Sequence, residues 1–234
     1  MISIVMPYWN RSDLLTKALD KYEELYSDLD LEIVIADDGS QDRPDIGKDR
    51  PWKVWIVRLP AKTEALNPCV PINAGVKRAS GDIILLTNPE TYHRAPIIQD
   101  MKVELGSLGE KGHVAAAVWA TERGKWYVHS SMNEATNKNL GRAPMPVGAG
   151  LHFCVMFYKT FFEEIEGFDE DYRAGQAYDD NDFLWKLQTA GAKFAIRDDL
   201  IVDHSSTETT WPAGGIQKNS ALFYKKWKEV LSHV

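Results

Sequence analysis

The chain has 234 residues, a hydrophobic content of 44% and a formal net charge of −7. That length and composition suit one soluble domain with a sizeable core. The acid excess opposes a general electrostatic grip on DNA or RNA, and no apolar stretch approaches the roughly 18 residues of a membrane span.

Residues 2–6, "ISIVM", form a short apolar run without the basic start of a signal peptide. Residues 31–36, 54–59 and 82–87 are similar runs rich in β-branched side chains, the pattern of strands buried on both faces. Between the first two, Leu14, Leu15, Ala18, Leu19, Tyr22, Leu25 and Tyr26 recur at helical spacing, so this stretch predicts a helix with Ser12 as its N-cap. A second helix is expected over 73–79. Strand, helix, strand in this order implies βαβ units and a parallel sheet covered by helices.

The second half is looser. Residues 96–108 read as a helix and 113–120 as a strand, while 121–150 are polar and rich in Asn, Gly and Pro, which predicts a long binding loop. Strands are expected over 151–157, 193–196 and 200–204. Helices are expected over 159–165, 179–191 and 214–231, with Gly191 stopping the second of these. The two cysteines, Cys69 and Cys154, support no disulfide framework and read as reduced, buried thiols of a cytoplasmic protein.

Polar groups gather where the expected parallel strands end, the default ligand crevice of such a sheet. "PYWN" follows the first strand, "DDGS" the second and "TNPE" the fourth. Asp37 and Asp38 suit hydrogen bonding to a base or sugar, and equally suit a turn. No phosphate-cradling glycine fingerprint is present, so a bound diphosphate needs a divalent metal, Mn2+ or Mg2+, held by carboxylate and imidazole. "NPE" also fits a helix start, with Asn88 as cap and Pro89 at the first helical position. His93 either orients Glu90 or meets substrate. His113, His129 and His152 read as structural or exposed. Trp185 reads as core, and Trp126 and Trp211 as acceptor-stacking candidates.

Four segments, "ISIVMPYWNRSDLLTKAL", "LEIVIADDGSQD", "INAGVKRASGDIILL" and "GFDEDY…YDDNDFLWKLQTAG", together resemble the GT-A glycosyltransferases of family 2. The last block, followed by a strand ending in His, is also similar to the C-terminal segment of galactosyltransferases. The resemblance covers residues 2–204. It implies an α/β fold of GT-A, Rossmann-like type: a single domain with a mixed, mainly parallel sheet flanked by helices. Residues 1–95 would be the nucleotide-sugar-binding half, 96–215 the acceptor and catalytic half, and 216–234 a C-terminal helix.

The resemblance also implies roles. Pro7 and Tyr8 wall the nucleotide base, Asp37 reads the uracil edge, and Asp38 lies beside the ribose. Asn73 and Gly75 match a turn near the donor, and Arg78 approaches the diphosphate, although Ile72 stands where the family has an arginine. Asp180 matches the base of inverting members, Asp179 its acidic partner, and Asp182 a later acid facing the acceptor. The family's D-x-D falls on Thr87, Asn88 and Pro89, where both acids are missing. Glu90, one residue further on, is the replacement expected to hold a metal with His204. The expected activity is metal-dependent, inverting transfer from a nucleotide-diphosphate sugar, UDP-linked, to a hydroxyl on a glycan, a lipid-linked precursor or a hydroxymethylated DNA base, the last disfavoured by charge. The alternatives are a nucleotidyltransferase-like enzyme and a non-catalytic nucleotide-sugar-binding module.

Overall fold

The computed structural model describes residues 1–131, 144–205 and 213–232. β1 (Ile2–Tyr8), β2 (Leu31–Asp37) and β4 (Ile83–Thr87) are buried along their whole lengths. β3 (Lys53–Arg58) is a partly exposed edge. These four pair in parallel in the order β3-β2-β1-β4. α1 (Ser12–Tyr26) lays Leu15, Ala18, Leu19, Tyr22 and Tyr26 against the sheet. α2 (Cys69–Arg78) approaches closely because Gly75 has no side chain; a Cβ there would lie 2.7 Å from Val5 and 3.2 Å from Ala36.

The sheet continues without a break into the second half. β5 (Thr91–His93), β6 (Gly112–Ala120), β7 (Lys125–Val128), β8 (Cys154–Tyr158) and β9 (Lys193–His204) complete nine strands in the order β3-β2-β1-β4-β8-β6-β9-β5, with β7 on β6. β8 runs antiparallel to β4 and β6, and β9 parallel to β6, so the sheet is mixed. Among the described residues the remaining helices are α3 (Ile98–Leu108), α4 (Lys159–Glu164), α5 (Asp179–Thr189), α6 (Gly215–Lys226) and α7 (Lys228–Leu231), with a 3-10 turn at Glu170–Ala174. Phe157, Phe162, Phe168 and Phe183 pack together, the last two stacked at 4.2 Å, and tie α5 to the sheet. Each buried ring is worth about 1.5–3 kcal/mol.

Several local expectations change. Ser12 is the first residue of α1 and its hydroxyl accepts from Asp45 N at 3.1 Å, so the N-cap position falls to Arg11. The second helix begins at Cys69, earlier than 73. Part of the expected 121–150 loop is β7. The two expected strands over 193–204 are one, with a register shift opposite Ala116 and Ala117. "NPE" starts no helix: Thr91 N donates to Asn88 O in a turn at 3.0 Å, and β5 follows at once. Cys69 and Cys154 are free and buried, as expected. Among the described residues no helix is long and apolar enough to cross a membrane.

Candidate active site

A cavity of about 270 Å³ opens where β1, β2, β4 and β9 end, facing the start of α5. Pro7, Tyr8, Trp9, Asp38, Ala65 and Leu66 form one end of its wall. Tyr8 is fixed by donating its hydroxyl to Asp42 O at 2.9 Å, and burial pushes its pKa up to about 12. Asp38 is buried and ion-paired with Lys62, whose ammonium stands 4.7 Å over the Trp9 ring. Burial raises the Asp38 pKa against the opposing pull of Lys62, and Asp38 Oδ1 has no hydrogen-bond partner among the described residues. Asp37 does not reach this wall. Its carboxylate accepts from Ser40 N at 2.8 Å and pairs with Arg58, so it shapes the "DDGS" turn.

Glu90 and His204 line the same cavity deeper in. Residue pairing brings them together: Thr91 faces His204 across β5 and β9, and Ser205 N donates to Glu90 O at 3.0 Å. Glu90 Oε1 lies 3.7 Å from His204 Nε2 and also contacts the guanidinium of Arg11, which enters from the loop after β1. Glu90 Oε2 and His204 Nδ1 are buried without hydrogen-bond partners among the described residues. Burial lowers the His204 pKa, which keeps the imidazole neutral and able to donate a lone pair. One carboxylate and one imidazole 3.7 Å apart would hold a divalent ion completed by substrate oxygens, with Arg11 already against Glu90 Oε1.

The same cavity is lined by Asp179 and Asp180, at the first turn of α5, and by His152. Asp179 Oδ1 accepts from Asn67 Nδ2 at 2.7 Å. His152 Nδ1 contacts the Asp180 carboxylate, and its Nε2 lies 3.9 Å from Asp179 Oδ2. Burial, then the Asp179 charge, pushes Asp180 well above the usual carboxylate range; Asp179 is pushed up to about 6, chiefly by burial. Burial holds His152 down at about 3. The three groups are near enough to hold an ion. The imidazole turns one nitrogen toward each carboxylate. The turn leading into the pair is strained: Ala177 and Tyr178 adopt φ of 58° and 68°, a conformation side-chain-bearing residues rarely hold. Buried Asn219 of α6 supports it, donating from Nδ2 to Ala177 O at 2.8 Å and Tyr172 O at 3.0 Å.

Thus Pro7, Tyr8, Asp38, Glu90, Asp179, Asp180 and His204 converge on one cavity. Other expected site residues lie elsewhere. Asn73 clamps Phe168, accepting from its N–H and donating to its carbonyl, both at 2.9 Å. Gly75 serves helix–sheet packing, and Arg78 stacks on Trp55 at 3.6 Å, committed to the β3 edge. Asp182 is fully buried, accepting from Trp227 Nε1 at 2.8 Å, and pairs with Lys226, so it anchors α5 to α6 rather than facing an acceptor. Trp126 packs on Trp119 at 5.0 Å; because strand residues alternate faces, its neighbour Tyr127 is the one that reaches His204, at 5.6 Å. Trp211 lies outside the described residues. Trp185 is core. His93 sits among Tyr22, Tyr26 and Cys154, accepting or donating at 2.6 Å with Tyr26 Oη, and touches neither Glu90 nor the cavity.

Arg11, Lys62, Asn67 and Asn219 were not singled out by sequence, and His152, expected to be structural or exposed, instead lines the cavity beside Asp180. Only Arg11, directly after "PYWN", carried a local signal. The others reach the site through loops and helices distant in the chain.

A mixed sheet with its ligand crevice at the ends of β1, β2 and β4, closed by an acidic helix start and a strand ending in His, defines the GT-A class of glycosyltransferase fold. The glycosyl transferase family 2 model matches residues 3–165, and the chain belongs to that family. No curated protein matches it. Among solved structures it is similar to S. aureus TarS, with a TM-score of 0.67 at 14% identity over 97% of this chain and 40% of that one. TarS 1-349 gives a TM-score of 0.69 at 14% identity over 97% of this chain and 65% of that one. The same TarS segment in complex with UDP-GlcNAc gives 0.67 at 14% identity over 96% of this chain and 63% of that one. The chain thus spans less than two thirds of the length of these structures.

Proposed function

We propose that this glycosyltransferase moves a sugar from a UDP-linked donor to an acceptor hydroxyl with inversion, assisted by Mn2+ or Mg2+. The observation that carries the reading is the meeting in one cavity of two sets, Asp179–Asp180 and Glu90–His204. One set suits proton removal and the other suits a diphosphate leaving group. TarS has been captured with UDP-GlcNAc and with UDP, which supports a uridine diphosphate here.

In this reading residues 1–95 hold the donor, with Pro7, Tyr8 and Trp9 against the base and Asp38 beside the ribose. Asp37 acts indirectly, by fixing the "DDGS" turn. Residues 96–215 supply the chemistry. Asp180 takes the proton of the acceptor hydroxyl as that oxygen bonds to the anomeric carbon, and the bond from that carbon to the diphosphate oxygen breaks on the opposite face. A raised pKa makes ionised Asp180 a stronger base. His152 contacts its carboxylate and holds it in place, and the Asp179 charge raises its basicity. Glu90 and His204 would hold the divalent ion, which supplies Lewis-acid stabilisation of the departing diphosphate. The acceptor is a hydroxyl on a glycan or lipid-linked precursor, with a hydroxymethylated DNA base disfavoured by the acid excess.

The test is release of free UDP from a panel of UDP-sugars with Mn2+, followed by mass spectrometry of candidate acceptors and NMR of the product anomer. Donor binding without release or transfer would reduce the chain to a binding module. A retained anomer would remove the single-displacement role of Asp180.

A further inference from the structure

The charge arrangement around Glu90 differs from a simple metal cradle. Thr87 is buried and donates its hydroxyl to Phe153 O at 3.0 Å, and Pro89 offers no side-chain donor. Glu90 is therefore the only acid that the "TNPE" segment brings to the cavity. Its carboxylate is already contacted by a cation, since Arg11 meets Oε1, with side-chain exposures of 20% for Arg11 and 6% for Glu90. His204 stands 3.7 Å from the same oxygen, and both Arg11 and Glu90 act on it electrostatically. Arg11, Glu90 and His204 all line the cavity.

A divalent ion and a guanidinium cannot both sit against one carboxylate in a poorly hydrated pocket without strong mutual repulsion. The guanidinium is also a bidentate donor suited to phosphate oxygens. We propose that Arg11 is the resident counter-ion of Glu90, that a divalent ion displaces it, and that the displaced guanidinium then contacts the donor diphosphate. Ion loading and diphosphate capture are thereby coupled through one side chain. The inference rests on the proposed nucleotide-diphosphate donor and adds a residue and an order of events to it.

The test uses the full chain and two probes. Mn2+ alone is titrated and free ion read by electron paramagnetic resonance. Arg11→Met removes the competitor and should bind Mn2+ at least about tenfold tighter, because the site gains one net negative charge. Arg11→Lys keeps the charge and should stay near the parent affinity, while Arg11→Met combined with Glu90→Gln should lose the gain. UDP and uridine are then titrated by calorimetry, with and without Mn2+. The parent should prefer UDP over uridine more strongly with Mn2+, and Arg11→Met should shrink that preference while leaving uridine binding unchanged. Mn2+ affinity that does not rise in Arg11→Met, or an unchanged UDP-to-uridine ratio in that variant, overturns the inference and leaves the donor reading standing. A parent chain that binds Mn2+ but no nucleoside diphosphate overturns the donor reading and the inference with it. Thermal unfolding of each variant shows that the comparison is between folded chains.

Discussion

At Asp180 two effects act in one direction: burial and the neighbouring Asp179 charge both raise its pKa well above the ordinary carboxylate range. Its working form is the ionised one, so transfer should fall as pH drops through that raised value. The acid limb of kcat/KM should therefore lie above the pH of an ordinary aspartate; a limb at the ordinary position would assign the base elsewhere. Asp180→Asn keeps the shape but cannot take a proton, and should lower transfer about 10²–10⁴-fold with UDP affinity unchanged by calorimetry. Asp179 carries a stability consequence. Its pKa rises from 3.8 to about 6 on folding, chiefly through burial, so the fold favours the protonated acid. That stability is complete below the unfolded value and is lost as pH climbs through the folded one. Asp179→Asn, which keeps the oxygen that accepts from Asn67, should thus raise Tm at pH 8 and give no gain at pH 3; a Tm gain equal at both would refute the burial argument. These acids were legible because the "DDND" block concentrates them. His152 was not, since nothing near residue 152 announces that Asp180 lies across from it.

Elements differ in how openly the sequence declares them. β1, β2 and β4 read clearly because their residues are buried on both faces and apolar without interruption. β5 and β7 span only Thr91–His93 and Lys125–Val128 and exist through pairing with β9 and β6, which no local pattern encodes. The most consequential element is the strained turn at Ala177 and Tyr178, for which the sequence gives no glycine warning. It depends on α6 through Asn219, which approaches so closely that a Cβ on Gly175 would lie 2.0 Å from its Oδ1. Among the described residues, Asn219→Ala leaves Ala177 O with only the long 3.5 Å contact to Asn67 Nδ2. The expected cost is about 1–3 kcal/mol, read as a lower Tm, together with a fall in kcat at constant donor KM as Asp180 loses its aim. Gly175→Ala should do the same by steric push. A variant with lower Tm but unchanged kcat would make α6 a purely structural brace.

At the scale of the molecule, the crevice residues run from Pro7 to His204 and sit on strand ends, loops and the start of α5 around one continuous sheet joined through β4 and β8. A ligand filling that crevice touches both expected halves, so it should stabilise the whole fold rather than one end of it. Binding adds RT ln(1 + [L]/Kd), about 2.7 kcal/mol at a hundredfold excess over Kd. For a chain of this size that corresponds to a Tm rise of roughly 5–11 °C. UDP with Mn2+ should produce a single, cooperative, upward-shifted transition, and uridine at the same concentration a smaller shift, because it cannot reach the Glu90–His204 end. The wall of Pro7, Tyr8, Trp9 and Asp38 should rank UDP above GDP, whose larger base must fit the same space. Differential scanning calorimetry measures all three. Equal shifts from UDP and GDP would show that the diphosphate, not the base wall, selects the donor, and two separate transitions would show that the crevice does not join the halves.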